Sequence, residues 1–332
     1  MEELRAVPVG AVVIGRNEGE RLKRCLRSIL RQIETVVYVD SGSTDGSVEF
    51  AQSLGVKVVD LDMSRPFSAG RARNAGFAAL TETRPDVAFV QFIDGDCELC
   101  DGWVDRATAF LTERPEYAMT AGRVKERNPE NSIYNELCDM EWNLPVGESL
   151  SSGGIFMVRA EAFTAVGGFN AGMIAGEEPE YCYRLRRAGW RIYNLDALMT
   201  LHDADMRRFS QWWKRTVRTG YAYAHRYFLH VGDNDTYLRL AAIRIWAWAF
   251  ALPVLTVVSC VLLGPWGLLF LLAYPLQFYR SYKSILATSP RKSASFRYAF
   301  FTVLGKWPQL VGQITFLRKK LMGQAIEIIE YK

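Results

Sequence analysis

Val87-Ala88-Phe89-Val90-Gln91-Phe92-Ile93-Asp94-Gly95-Asp96 is the stretch that decides the fold. Val87 to Ile93 is an apolar run broken only by Gln91, so it reads as a strand covered on both faces, and it stops on Asp94. The same pattern occurs twice upstream. Val9 to Ile14 is a short apolar strand running into Arg16, Asn17 and Glu18, and Thr35 to Val39 is a strand ending on Asp40. Val56 to Val59 makes a further strand. Between these runs, Glu18 to Arg31 reads as a helix with Leu22, Leu26, Ile29 and Leu30 on one face. Ser47 to Leu54 and Arg71 to Leu80 are helical as well. Strands alternating with helices make an α/β fold, a mostly parallel sheet with helices on both faces. In such sheets ligands bind beyond the carboxyl ends of the strands. The clusters there are Arg16–Glu18, Asp40–Gly46 and Asp94–Asp96, all polar and all carrying carboxylates. No GxGxxG follows the first strand and no GxxxxGK[ST] occurs, which argues against a dinucleotide site and a P-loop.

Four segments carry chemistry. Asp94 and Asp96, one residue apart at a strand end, can share a hard divalent cation and an adjacent ribose, and Gly95 lets the loop approach a phosphate. In Val39-Asp40-Ser41-Gly42-Ser43-Thr44-Asp45-Gly46, Asp40 can accept from a base N–H or a ribose hydroxyl. Ser43 and its neighbours offer backbone donors, and Asp45 is placed to cap the next turn. Gly176-Glu177-Glu178-Pro179-Glu180 opens a helix whose dipole favours negative charge, and a carboxylate there can deprotonate a hydroxyl. His202 follows an apolar strand, and a neutral imidazole suits a metal site shared with Asp96.

The 332 residues carry a formal net charge of +4, and that total conceals a division. Residues 1–200 hold 22 Lys and Arg against 30 Asp and Glu, whereas residues 201–332 hold 18 against 6. Hydrophobic residues at 49% exclude a disordered or collagen-like chain. From Ile245 to Tyr279 no charge occurs over 35 positions. One straight helix of that length would reach about 52 Å, against a hydrocarbon core of about 30 Å. Gly264-Pro265-Trp266-Gly267 supplies the break. The expected result is a transmembrane hairpin within 238–282, Leu238 to Leu263 going in and Leu268 to Tyr282 returning.

Arg207, Arg208, Lys214, Arg215, Arg218 and Arg226 precede the hairpin, and Arg280, Lys283, Arg291, Lys292 and Arg297 follow it. The positive-inside rule then places both ends in the cytoplasm of a bacterial-type inner or plasma membrane. The N-terminus MEELRAVPVG shows no secretory signal. The segment 206–237, rich in Trp212, Trp213, Tyr221, Tyr223 and Tyr227 among basic residues, reads as amphipathic and interfacial. The basic segment 283–332 reads as an interfacial or re-entrant helix. Cys97 and Cys100 form a single CxxC with no second pair or nearby His to complete a zinc set.

Taken in order, these clusters resemble family 2 glycosyltransferases of the GT-A fold. The landmarks are Val13-Ile14-Gly15-Arg16-Asn17-Glu18, the VDSGSTDG loop at 39–46 and Gly70-Arg71-Ala72-Arg73-Asn74-Ala75-Gly76. They continue with DGD at 94–96, Ser152-Gly153-Gly154, Gly167-Gly168-Phe169, and GEEPE at 176–180 followed by Arg184 and Gly189. The resemblance covers roughly 8–205 and makes 1–205 the expected catalytic domain. It implies that Arg16, Asn17, Glu18, Asp40, Ser43, Asp45, Arg73, Asn74, Asp94, Gly153 and Gly154 line a nucleotide-sugar site. It also implies that Asp96, with Asp94 and His202, holds Mg2+ or Mn2+, and that Glu178 is the base where many members carry Asp. Glu177 and Glu180 stay open as alternatives.

The expected reaction is a single inverting displacement from a nucleotide-diphosphate sugar onto a hydroxyl of a lipid-linked glycan, glycolipid or polysaccharide at the lipid bilayer. No nucleic-acid partner is expected. The alternatives are a sugar-nucleotide nucleotidyltransferase, for which Arg16-Asn17-Glu18-Gly19-Glu20 is too acidic, and a non-catalytic membrane-tethered binding protein.

Overall fold

The computed structural model describes residues 7–230, 236–287, 289 and 291–323. Outside them lie residues 1–6 of the N-terminal reading, 231–235 of the segment 206–237, and 288, 290 and 324–332 of the segment 283–332. The chain forms two compact units, Met1–Asn128 with Glu141–Asp205 and Pro129–Met140 with Met206–Lys332.

The first unit is built on nine strands: β1 (Val9–Gly15), β2 (Thr35–Asp40), β3 (Lys57–Asp60), β4 (Phe89–Asp94), β5 (Cys97–Leu99), β6 (Tyr117–Glu126), β7 (Gly147–Glu148), β8 (Phe156–Arg159) and β9 (Arg191–His202). They form one sheet in the order β3-β2-β1-β4-β8-β6-β9-β5, with β7 paired to β9. The first four are parallel. Beyond β4 the sheet is mixed: β8 runs antiparallel to β4 and β6, β6 is parallel to β9, and β5 and β7 are antiparallel to β9. Strand β1 lies between β2 and β4, so the direction of winding reverses beside it, which is where open α/β sheets leave a crevice. Gly15 pairs with Asp40 and Ile14 with Asp94, so the three expected loops leave the sheet side by side.

The core explains why these strands form. Val12, Val13, Val37, Val39, Val90, Phe92 and Ile93 are fully buried, each removal of such a side chain from water contributing roughly 1.5–3 kcal/mol. The helix Glu20–Leu30 adds Leu22, Leu26 and Ile29 from one face. It begins two residues later than the pattern predicted, because Gly19 sits at φ 52 as its N-cap. The helix Ala69–Thr83 approaches the sheet so closely that a Cβ on Gly76 would lie 2.3 Å from Val12 and 2.9 Å from Val39. That approach delivers Arg73, on the same helix, to the strand ends.

In the second unit, the helices Phe209–Leu229 and Lys306–Leu321 cross at glycines. A Cβ on Gly220 would lie 2.0 Å from the Gln309 carbonyl oxygen, and one on Gly312 would lie 2.0 Å from that of Val217. Trp212 and Tyr221 are buried against Phe301 and Phe316, because the glycine crossing brings that face of the helix inward.

The segment Pro129–Met140 belongs to the second unit. Arg297 makes a two-pronged contact with Glu136 at 2.6 and 2.8 Å, and Arg291 bonds Asp139 at 3.1 Å. These pairs join positions more than 150 apart in sequence, so nothing local announces them.

The stretch Arg239–Leu286, 48 residues, is long and apolar enough to cross a membrane. It is interrupted twice. A π-helical turn at Ala247–Ala251 precedes the helix Leu252–Leu263, because Pro253 has no N–H to continue the ladder. Gly264 at φ 64 then reverses the chain. The returning leg needs no separate loop: it starts as 3-10 turns at Gly264–Leu272 and continues as the helix Ala273–Leu286. Gly267 packs on the Ser259–Cys260 backbone, and the Tyr274 hydroxyl donates to the Trp248 carbonyl at 2.7 Å, so the legs are antiparallel.

Candidate active site

The loops after β1 and β2 are clasped to each other. Thr44 N–H donates to Asn17 Oδ1 at 2.7 Å, Asn17 N–H to Ser43 Oγ at 2.9 Å, and Gly19 N–H to Asp45 Oδ2 at 2.8 Å. Asn17 takes φ 54 to turn this corner, a conformation Asn tolerates better than most residues. The Asp45 carboxyl is held below its usual range: partial burial opposes this, but hydrogen bonds from Ser47 and Gly19 outweigh it. Asp40 is 3% exposed and organises its own loop. Its Oδ2 accepts from Gly42 N–H at 2.9 Å and Ser43 N–H at 2.7 Å, and its Oδ1 accepts from the Tyr38 hydroxyl at 2.7 Å and Ser43 Oγ at 2.5 Å. Burial first, and then Asp40 as acceptor, pushes the Tyr38 phenol well up, so it stays a donor. Arg16 is exposed beside these loops and Glu18 is partly buried, paired with Arg21 at 2.7 Å.

Arg73 ties four segments together. Its guanidinium donates to Asp94 at 2.8 Å, to Glu177 at 3.2 Å and to the Gly154 carbonyl at 3.1 Å, and it lies 5.5 Å from the Phe169 ring centre. Burial penalises its charge, but Asp94 and Glu177 more than compensate, so Arg73 stays cationic. Gly153 stands next to this node at φ 83. The Asn74 amide donates to the Phe169 carbonyl at 2.8 Å and accepts from the Phe169 N–H at 2.9 Å, so it pins the loop 168–170.

The metal reading gathers around Asp96. Cys97 on β5 stands opposite His202 on β9, which brings two segments far apart in sequence to one place. Asp96, Cys97 and His202 each offer one ligand atom, and these atoms lie within 4.8 Å of one another. Asp94, also expected as a ligand, lies outside this group, and one of its carboxylate oxygens accepts from Arg73. His202 Nε2 lies 3.6 Å from Asp96, and Nδ1 is 2.7 Å from Glu126. Burial pulls the imidazole pKa down, but Asp96 and Glu126 outweigh it and push it up to about 9. The indole of Trp142 covers the His202 ring at 4.1 Å. A carboxylate with an imidazole suits Mg2+ or Mn2+. Burial first, and then Asp96 and Asp94, push the Cys97 thiol well up, so it stays protonated and is no ligand for a hard cation. The donor set therefore fits such an ion on Asp96 and His202.

The three glutamates of the helix Glu177–Arg187 have three different fates. Glu177 pairs with Arg73. Glu180 is 2% exposed and holds Arg184 through two bonds of 2.8 and 2.9 Å, and Arg184 in turn reaches the Gly168 carbonyl. Glu178 Oε1 instead accepts from neutral groups, Ser152 N–H at 2.8 Å, Ser152 Oγ at 3.1 Å and Cys182 Sγ at 2.9 Å.

Residues 11–166 match the family model described as Glycosyl transferase family 2. This is a family 2 glycosyltransferase domain. The glycosyltransferase domain is similar to the pre-mycofactocin glycosyltransferase of Mycobacterium tuberculosis, 30% identical over 208 residues, which cover 59% of this chain and 42% of the relative. It is also similar to the succinoglycan biosynthesis protein ExoA of Rhizobium meliloti, 28% identical over 173 residues, 48% of this chain and 51% of the relative. The chain thus spans about half or less of the length of these relatives. Among solved structures, the mannosyltransferase PcManGT from Pyrobaculum calidifontis, in complex with GDP-Man and Mn2+, is similar with a TM-score of 0.61 and 15% identity, over 94% of this chain and 87% of that one. The likeness shows the fold, and the fold is GT-A.

Several residues of the glycosyltransferase domain escaped the sequence reading as site members. Glu126 behind His202 and Ser152 at Glu178 act from distant segments, whereas Cys182 at Glu178, Tyr38 under Asp40 and Cys97 beside Asp96 are near neighbours in sequence. Cys182 and Tyr38 carried a local signal, because four positions on a helix and two on a strand return to the same face.

Proposed function

We propose that the glycosyltransferase domain moves a sugar from a nucleotide-diphosphate sugar to an acceptor hydroxyl, with inversion at the anomeric carbon and dependence on Mg2+ or Mn2+. The observation that carries this reading is the Asp96–His202 pair at the carboxyl edge of a GT-A sheet, with Glu126 behind the imidazole. The PcManGT complex, which contains GDP-Man and Mn2+, supports the donor class.

Asp96 and His202 would hold the cation, and Glu126 would fix the tautomer that leaves Nε2 available, an arrangement common behind metal-bound imidazoles. When bound, the cation supplies Lewis-acid neutralisation of the leaving diphosphate. Arg73 engages both Glu177 and Asp94, which disfavours either as the base. Glu180 is committed to Arg184. That leaves Glu178 to take the acceptor proton, oriented by Ser152 and Cys182. The clasped loops of Asn17, Ser43 and Asp45 would seat the nucleotide.

The acceptor we assign is membrane-borne. The apolar stretch Arg239–Leu286 and the basic residues flanking it support an inner-membrane location with the catalytic domain on the cytoplasmic side. The segment 283–332 would lie in plane or re-enter.

Glu178→Gln tests the base. Release of nucleoside diphosphate from the donor in the presence of acceptor should fall by about 10²–10⁴-fold, with donor binding kept. Wild-type turnover in that variant would sink the assignment. Product configuration, read by NMR, should be opposite to that of the donor.

A further inference from the structure

The group around Asp96 contains one atom that the glycosyl-transfer reading does not use, the sulfur of Cys97. On antiparallel strands, directly opposed residues project from the same face of the sheet. Cys97 and His202 are such a pair, so the thiol and the imidazole share a face by backbone register and not by a chance rotamer. Cys97 Sγ lies 3.4 Å from one Asp96 oxygen and His202 Nε2 lies 3.6 Å from the other, and one ligand atom from each of the three residues falls within 4.8 Å of the other two, so a small side-chain adjustment closes the set. Zinc bonds of about 2.0–2.3 Å to nitrogen, oxygen and sulfur put tetrahedral ligand atoms about 3.3–3.6 Å apart. Glu126 holds Nδ1, so the imidazole already presents Nε2 to the group.

We propose that Asp96, Cys97 and His202 form a site for a thiophilic divalent cation, Zn2+ above all, overlapping the place of the hard cation. This rests on the metal reading given above and adds a selectivity to it. A hard cation prefers the carboxylate oxygen and the imidazole nitrogen to the soft sulfur. Zn2+ forms a metal–sulfur bond, and the thiol proton is released to solvent, so sulfur changes from S–H to S–Zn with no change of oxidation state. The sulfur ligand makes Zn2+ the tighter occupant, and the two classes of ion exclude each other.

The test uses the full chain in detergent and the metals alone. Co2+ stands in for Zn2+ and reports sulfur ligation through a thiolate-to-metal charge-transfer band in the near ultraviolet. The band should appear in the wild type and in Cys25→Ser, and vanish in Cys97→Ser. Zn2+ affinity, measured by competition with a chromophoric chelator, should fall in Cys97→Ser by at least about ten-fold, the lower end of what losing even an outer partner costs. Mn2+ affinity, read by electron paramagnetic resonance, should stay unchanged in that variant. A wild-type Co2+ complex without the thiolate band overturns the proposal and needs no variant to fold. Undiminished Zn2+ affinity in Cys97→Ser overturns it too. Failure of the wild type to bind Mn2+ would instead strike the metal-dependent reading itself, so the two failures are distinguishable.

Discussion

The first unit buries charge, and the second exposes hydrocarbon. Arg73, Asp96, Glu126, Glu177, Glu178, Glu180 and His202 are all less than a tenth exposed. Val261, Leu262 and Trp266, at the turn of the apolar hairpin, are 80%, 73% and 73% exposed. In water each arrangement alone would be costly. A buried charge is tolerated only with a partner, and the first unit supplies ion pairs, Arg73 with Asp94 and Glu177, Arg184 with Glu180, His202 with Glu126 and Asp96, while Glu178 accepts hydrogen bonds from Ser152 and Cys182. A contiguous exposed apolar surface marks an interaction site, and one of this extent on a chain with flanking cations fits lipid. The contrast teaches that the two units solve different problems, one holding charge inside a polar site and the other leaving hydrocarbon at its surface.

The comparison can be broken from the polar side first. Arg73→Met keeps the bulk of the side chain but leaves Glu177 and Asp94 without their cation, and breaking a buried pair costs about 3–5 kcal/mol. Chemical denaturation should show that loss, and an unchanged midpoint would mean that the node is not what holds the segments together. The next effect is a pH dependence of the metal-free protein. His202 has its folded pKa raised to about 9, from an ordinary value near 6.5. A raised folded pKa means that the protonated imidazole stabilises the fold fully below about 6.5 and that the contribution disappears as pH rises through about 9. Melting in chelator should therefore weaken over that window by up to about 3 kcal/mol, and His202→Gln should flatten the slope. The smallest effect on folding belongs to the apolar side. Val261→Lys with Leu262→Lys removes no contact in the core, so stability in detergent should change by less than about 0.5 kcal/mol. Membrane retention after alkaline extraction should nonetheless drop. Full retention would mean that the hairpin tip is not in lipid.

Much of the fold was legible locally. The apolar runs at 9–14, 35–39 and 87–93 became β1, β2 and β4, because a strand buried on both faces writes itself as an uninterrupted hydrophobic segment. Their ends, Asp40 and Asp94, followed from the same runs. The backbone bonds of Asn74 were not legible, because a side chain beside a loop can bond outward to a ligand or backward to the backbone, and sequence does not distinguish the two. The burial of Trp212 and Tyr221 was not legible either, because it depends on a helix crossing with a segment far along the chain. The partners Glu126 and Ser152 were invisible because each lies tens of positions from the residue it serves.

By itself, the sequence determined the alternation of strands and helices, the carboxylates at the strand ends, the uncharged run with its Gly-Pro break, and the opposite charge of the two parts. Those depend on periodicity, local backbone preference and composition, which are properties of neighbouring residues. Only the tertiary structure decided which glutamate meets Ser152, which nitrogen of His202 faces Asp96, and that Cys97 stands across from His202. These depend on pairing between segments distant in the chain, where register and burial, rather than residue type, choose the partner.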